Sequence, residues 1–151
     1  MTIKKFTAIY YRVSKKFKNE IRMQKKICRD YCLSNKIINF KEYKDIGIKG
    51  NQKEKPALNR LIRDAEHGKI GKIIVYKIDR LGRNFSQLND LNENLQNLGI
   101  DINSATQKFN FKTREGKLIL RILMMMSEFE SGMISDRVMD GIKSKKYYSK
   151  K

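Results

Sequence analysis

The sequence has few of the residues from which disulfides and metal sites are built. Its 151 residues include two cysteines, Cys28 and Cys32, and a single histidine, His67. The cysteines lie four residues apart in a predicted helix, where a disulfide between adjacent turns has poor geometry, so packed free thiols are expected. A metal would need further ligands, which the sequence does not offer. His67 precedes Gly68 at a predicted helix C-terminus, a position that favours capping over catalysis.

Long apolar runs are also missing. No stretch approaches the roughly 20 apolar residues that cross a bilayer. No apolar segment with a small-residue cleavage site follows the basic N-terminus, so a secretory signal is not predicted. We therefore expect a cytoplasmic protein.

Positive charge, in contrast, is present in excess. The 34 Lys and Arg residues against 16 Asp and Glu give a net charge of +18. Positive charges in such excess repel one another, which favours binding to a polyanion. Each nucleic-acid phosphate that a Lys or Arg side chain neutralises also releases counterions. Nucleic acid is the favoured partner. A lysine-rich source organism and an anionic membrane surface are the alternative explanations of the charge.

Strand and helix patterns alternate along most of the chain. Short β-branched, aromatic or nearly all-apolar runs predict strands, and apolar residues at helical spacing predict helices. The predicted strands cover 6–11, 37–43, 72–76 and a segment that begins at Ile100, and the predicted helices cover 19–35, 56–67 and 86–98. The polar segment 45–55 predicts a long loop, which is usually functional or mobile. The alternation favours an α/β domain with a mostly parallel central sheet flanked by helices.

The last part of the chain predicts one long helix, from about Thr113 to about Lys146. Its apolar stripe consists of Leu118, Ile122, Met125 or Met126, Phe129, Met133 and Val138. Such a helix is either buried on the sheet or packs partly on another subunit, and its length of about 45 Å favours the second. We expect an α/β catalytic core at 1–112, with the long helix and basic tail of the same domain at 113–151. A DNA-recognition domain is not expected within the chain.

Two segments together supply one hydroxyl group and three guanidinium groups. Arg12 and Ser14 finish the first predicted strand, and Arg80 and Arg83 follow the strand 72–76. Ligands of open parallel sheets bind at the carboxyl ends of the strands. If these two strands are neighbours, the arginines and the serine converge on one crevice. That crevice suits a tetrahedral phosphate, because a planar guanidinium donates two hydrogen bonds to phosphate oxygens.

Four motifs in the same order and spacing resemble the resolvase/invertase family of serine recombinases. Residues 10–14 match Y-x-R-V-S, and residues 79–83 are D-R-L-G-R in full. Residues 45–50 with 55–58 follow D-x-G-x-S-G and R-P-x-L, and residues 128–137 resemble E-F-E-R followed by I-x-x-R. The resemblance covers nearly the whole chain and implies a resolvase-like catalytic domain.

The activity implied by this resemblance is site-specific DNA recombination. The hydroxyl of Ser14 would attack a scissile phosphate, form a 5′-phosphoserine link and release a 3′-hydroxyl, without metal, cofactor or ATP. The implied catalytic residues are Ser14, Arg12, Arg80, Arg83, Asp79, Lys55, Gln24 and Glu130. The expected DNA-binding residues on the long helix and its tail are Arg137, Lys143, Lys145 and Lys146. The implied partners are double-stranded DNA and further copies of the chain, as a homodimer and as a tetramer in the synaptic complex, with no membrane.

Three positions depart from the family pattern. Lys55 replaces an arginine before Pro56, Ser131 replaces an arginine, and no glutamine occurs in 15–19, although Gln24 matches a second family glutamine with a slip of one residue. These departures support an alternative, a degenerate recombinase-like protein that binds DNA and assembles on it without cleavage. A small nucleotide-binding α/β enzyme is a further rival. It would need a glycine-rich loop, and 10–14 contains no glycine.

Overall fold

The computed structural model of the protein describes residues 4–14, 18–50, 52–108 and 110–148. The strands are β1 (Phe6–Val13), β2 (Phe40–Ile46), β3 (Ile70–Val75) and β4 (Asp101–Ser104). The helices are α1 (Lys18–Ser34), α2 (Pro56–Glu66), α3 (Phe85–Asn97) and α4 (Arg114–Tyr148), with a short 3-10 turn at Ile78–Arg80. None of the helices within these ranges combines the length and hydropathy needed to cross a bilayer.

The strands form one parallel sheet in the order β2-β1-β3-β4. The predicted α/β class and parallel sheet are therefore confirmed. β1 and β3 are direct neighbours, with Tyr10 opposite Val75. The segments that follow these two strands consequently meet at the same edge of the sheet, as the predicted crevice requires.

Helices cover both faces of the sheet. On one face, Ile9 and Tyr11 of β1 pack against Cys28 and Cys32 of α1. On the other face, Tyr10 belongs to a larger cluster with residues of α2, α3 and α4. Both cysteines are free and buried, as predicted, and burial raises the pKa of Cys28 to about 12. Both thiols are therefore part of the hydrophobic core.

Two helices end where the sequence predicts. Gly68 and Gly99 follow α2 and α3 with φ of 70° and 71°, in the left-handed region that favours glycine. His67 is the C-cap of α2, and its Nδ1 lies 2.6 Å from the carbonyl oxygen of Arg63. The capping role expected for the histidine is confirmed.

β2 begins and ends three residues later than the predicted range 37–43. The difference arises at Asp45, which was predicted to begin a loop and is instead a buried strand residue. Its carboxylate accepts hydrogen bonds from the Tyr10 hydroxyl at 2.8 Å and from the backbone amides of Ala57 and Leu58 at 2.9 and 3.1 Å. A buried carboxylate interrupts the apolar pattern, so the strand was placed too early.

α4 has two apolar faces. Leu120 and Met124 are buried in the core of the domain. The predicted stripe lies on the other face, where Leu118 and Ile122 are 58% and 44% exposed. The core-facing pair was not recognised from the sequence because apolar residues occur on several sides of this helix.

Candidate active site

Ser14 directly follows the central strand β1 and is half-buried at the carboxyl edge of the sheet. The strand end before it is held by the segment after β2. The amides of Gly47 and Ile48 donate to the carbonyl oxygen of Val13 at 2.7 and 3.2 Å. Ser14, the candidate nucleophile, thus lies at the edge where parallel sheets bind their ligands. The two hydrogen bonds fix the backbone directly before Ser14.

Arg12, two residues before Ser14 on β1, is 2% exposed. Its Nε donates to the carbonyl oxygen of Arg80 at 2.8 Å, its Nη2 to that of Asp79 at 2.9 Å and its Nη1 to that of Ile48 at 3.2 Å. The guanidinium thus joins the segments that follow β2 and β3 to the end of β1. Burial lowers the pKa of Arg12, and the neighbouring positive charges of Arg80 and Arg83 lower it further.

Arg80 is partly buried and lies close to two carboxylates. Its Nη1 lies 2.8 Å from Glu20 Oε1, and its Nε lies 3.4 Å from Asp79 Oδ1. The second contact is an ion pair without a directed hydrogen bond, since neither Nε nor Oδ1 has a hydrogen-bond partner among the described residues. Nη1 also donates to the carbonyl oxygen of Arg12 at 3.3 Å.

Gln24 reaches the same strand end from α1. It is fully buried, and its Nε2 donates to the carbonyl oxygen of Arg12 at 3.1 Å and to Glu20 Oε1 at 3.3 Å. Its Oε1 is buried without a hydrogen-bond partner in the described part of the chain. Gln24 therefore lies next to the peptide that leads to Ser14.

The loop after β2 brings two further features to the cluster. Lys55 is 7% exposed; burial lowers its pKa, and the charge of Arg12 lowers it further. Gly50 lies so close to Arg83 that a Cβ built on the glycine would be 2.7 Å from Arg83 Cγ. The loop is thus packed against the site, and any side chain at Gly50 would displace the arginine.

The structure therefore brings together most of the catalytic residues predicted from the sequence. Those assembled around the end of β1 are Ser14, Arg12, Arg80, Arg83, Asp79, Lys55 and Gln24. Arg137 is exposed on α4, a different element. The side chains of Glu130, Lys143, Lys145 and Lys146, also on α4, lie outside the described residues.

Two acidic residues of this site were not recognised from the sequence. Glu20 looked like an ordinary acidic residue in the first turn of a helix, where carboxylates are common. Asp45 belonged to a recognised motif, but no role was assigned to it, and its buried contacts with Tyr10 and α2 have no periodic signature. Among the described residues, no group of three His, Cys, Asp or Glu side chains is arranged to hold a metal ion.

Comparison with known proteins gives a consistent result. Residues 7–150 match the family of resolvase N-terminal domains. The DNA-invertase of Enterobacteria phage P7 is 31% identical over 93 residues, which cover 62% of this chain and 49% of that protein. The resolvase of transposon Tn917 from Enterococcus faecalis is 26% identical over 104 residues, or 69% of this chain and 55% of that protein. The chain thus spans about half the length of these two relatives.

The fold is also similar to a solved catalytic domain. The crystal structure of the N-terminal catalytic domain of TP901-1 integrase is 31% identical, with a TM-score of 0.68, and the match covers 85% of this chain and 98% of that domain. The family match extends over nearly the whole chain and includes the strand that leads to Ser14 and the segment that carries Arg80. The chain therefore belongs to the resolvase N-terminal domain family of serine recombinases.

Proposed function

We propose that this chain cleaves and rejoins double-stranded DNA through a covalent 5′-phosphoserine at Ser14. The observation that supports this most strongly is the gathering of four cationic side chains beside a serine at the end of the central strand. Burial lowers the pKa values of Arg12 and Lys55. The charges of Arg80 and Arg83 lower that of Arg12 further, and the charge of Arg12 lowers that of Lys55 further. Like charges held this close are stabilised by a bound anion, and a DNA phosphate is the anion that a chain of net charge +18 attracts.

In the proposed reaction, Ser14 Oγ forms a bond to phosphorus as the bond from phosphorus to the 3′-oxygen breaks. The serine proton passes to a base, for which Asp79 is the nearest candidate by motif, and the departing 3′-oxygen takes a proton from water. The phosphodiester is retained as a phosphoserine ester, so attack by a 3′-hydroxyl reverses the step and rejoins a strand without ATP. Guanidinium groups stabilise the negative charge that develops on the phosphoryl oxygens.

The contacts suggest different roles for the three arginines. Arg80 and Arg83 are the proposed phosphate ligands, because both are more exposed than Arg12. Arg12 acts mainly by positioning, since three backbone carbonyls already bind its guanidinium. Asp79 orients Arg80. We propose DNA or active-site contacts for Glu130, Arg137, Lys143, Lys145 and Lys146 from the family motif and the positive charge of the tail.

We further propose that the chain assembles through the exposed face of α4, as a dimer and, with paired DNA sites, as a tetramer. Phe129 is 69% exposed, Met125 59%, Met126 56% and Met133 41%. A contiguous apolar surface of this kind is a liability on a monomer and typical of an interface. Methionine suits a surface that repacks between partners.

The Ser14→Ala variant is expected to lose cleavage while retaining DNA binding, because the hydroxyl is the nucleophile and basic groups supply most of the phosphate contacts. Cleavage and mobility shift would be measured on a selected duplex, meaning one chosen from a randomised library by its binding to this chain. Ser34→Ala, at the exposed end of α1, is the matched control. Cleavage by the alanine variant at the wild-type rate would refute the proposal. A wild type that binds without cleaving would favour the degenerate, assembly-only alternative.

Lys55→Met is expected to stabilise the fold and weaken DNA binding. Removing a buried charge next to Arg12 should raise the free energy of unfolding at pH 7 by roughly 1 kcal/mol. The folded-state pKa of Lys55 is lowered, so the folded wild type loses this proton at a lower pH than the unfolded chain does. The free energy of unfolding of the wild type should therefore rise as the pH approaches the ordinary lysine pKa of about 10.4. The stability difference between Lys55→Met and the wild type should shrink over the same pH range. Denaturant unfolding at neutral and alkaline pH measures this.

The control for Lys55 is Lys49→Met in the same loop, where the lysine is exposed. Its stability should stay within about 0.5 kcal/mol of wild type. Equal effects of the two substitutions on stability and on binding of the selected duplex would show that the burial of Lys55 has no bearing on the site.

The double variant Phe129→Asp, Met133→Asp is expected to be monomeric where the wild type associates. Association of the wild type should strengthen with added salt or DNA, because each subunit carries a net charge of +18. Sedimentation velocity at two salt concentrations tests this, with Leu33→Asp, at an exposed position on α1, as the control. A wild type that remains monomeric at high concentration, with or without DNA, would contradict the proposed assembly.

A further inference from the structure

Glu20 lies in the first turn of α1 and makes a short charged contact with Arg80 of the arginine cluster. Its Oε1 is 2.8 Å from Arg80 Nη1, and the two side chains are 24% and 19% exposed. The same oxygen accepts a hydrogen bond from Gln24 Nε2 at 3.3 Å. The carboxylate therefore contacts two side chains of the site at once, in a partly buried place where solvent and salt screen an ion pair less than at the surface.

The two nitrogens that contact Glu20 also contact one backbone carbonyl of β1. Gln24 Nε2 and Arg80 Nη1 both donate to the carbonyl oxygen of Arg12, at 3.1 and 3.3 Å. Glu20 Oε1 and this carbonyl oxygen thus contact the same two nitrogens, Glu20 through one hydrogen bond and one ion pair and the carbonyl through two hydrogen bonds, so the four groups form a closed ring. The carbonyl belongs to the strand end that carries Ser14, so the ring couples the orientation of Arg80 to the backbone of the nucleophile.

Arg80 needs such a restraint because its surroundings repel it. Arg12 brings a like charge close to it, and this charge favours rotation of the Arg80 side chain towards solvent. Asp79 alone is the weaker restraint, since its ion pair with Arg80 Nε is 3.4 Å long, against 2.8 Å for the ion pair between Glu20 and Arg80. The short contact with Glu20 provides the stronger one.

We propose that Glu20 is a positioning residue of the Ser14 site, whose carboxylate holds Arg80 in the orientation in which it meets the scissile phosphate. This inference rests on the proposed function and adds to it a residue outside the recognised motifs. The contact engages Nη1, and a guanidinium has two terminal nitrogens, so Arg80 need not leave Glu20 to bind a phosphate oxygen. The cations around Ser14 still outnumber the carboxylates, so the site remains attractive to DNA.

The Glu20→Gln variant tests this inference, because it keeps the size of the side chain and removes the charge. The single-turnover cleavage rate of the selected duplex is expected to fall about ten- to a hundredfold, the size of effect that follows from a small misplacement of a catalytic group. The dissociation constant of the duplex is expected not to rise, because a negative charge has been removed beside the phosphate site. Glu66→Gln, at an exposed position on α2, should match the wild type in rate, binding and melting temperature.

Three results would overturn the inference. A wild-type rate for Glu20→Gln would show that the contact has no role. A faster rate would show that Glu20 competes with the phosphate for Arg80. A fall in rate with a matching loss of binding or melting temperature would show a purely structural role. Failure of the proposed function itself is distinguishable, since the wild type would then form no product that depends on Ser14.

Discussion

The site depends on the hydrogen bonds that the buried guanidinium of Arg12 donates to three backbone carbonyl oxygens. A charged group at this depth requires hydrogen-bond acceptors, and it finds them in the carbonyl oxygens of Ile48, Asp79 and Arg80. These carbonyls lie in the segments that follow the two strands flanking β1. A single side chain on the central strand therefore fixes both neighbouring connections, and with them the position of Arg80 relative to Ser14.

The electrostatics of the site follow from this arrangement. Burial lowers the pKa values of Arg12 and Lys55, and nearby positive charges lower them further. Arg80 and Arg83 act on Arg12, and Arg12 acts on Lys55. Carboxylates of the chain offset only part of the charge, because Asp45 is engaged by Tyr10 and by backbone amides of α2. In the proposed function an anion from outside the chain completes the balance, and a phosphate diester would suit this edge of the sheet.

Much of the fold could be predicted because its main features have local sequence signals. The apolar run of β3 predicts a strand buried on both faces, and the glycines after α2 and α3 predict the helix ends. Ser14 and Arg80 could be found because each lies in a contiguous motif next to a strand. The placement of β2 was wrong because Asp45 is a buried carboxylate with non-local partners.

The contacts that organise the site could not be predicted in the same way. The partners of Arg12 are backbone carbonyls, which every residue possesses and which carry no sequence signature. Glu20 has the sequence context of any acidic residue near a helix N-terminus. On α4, apolar residues on several sides did not reveal that Leu120 and Met124 face the core. Each of these features depends on the packed structure, which periodicity and motifs do not specify.

Mapping the covalent bond between protein and DNA tests the central claim most directly. The full chain would be incubated with the selected duplex carrying a nick near the cleaved position, so that the cut strand cannot be rejoined and the adduct accumulates. After nuclease and protease digestion, peptide mass spectrometry should place a 5′-linked nucleotide on Ser14, and the other DNA end should carry a 3′-hydroxyl. An adduct on another residue, or cleaved DNA with a free 5′-phosphate and no adduct, would contradict the account.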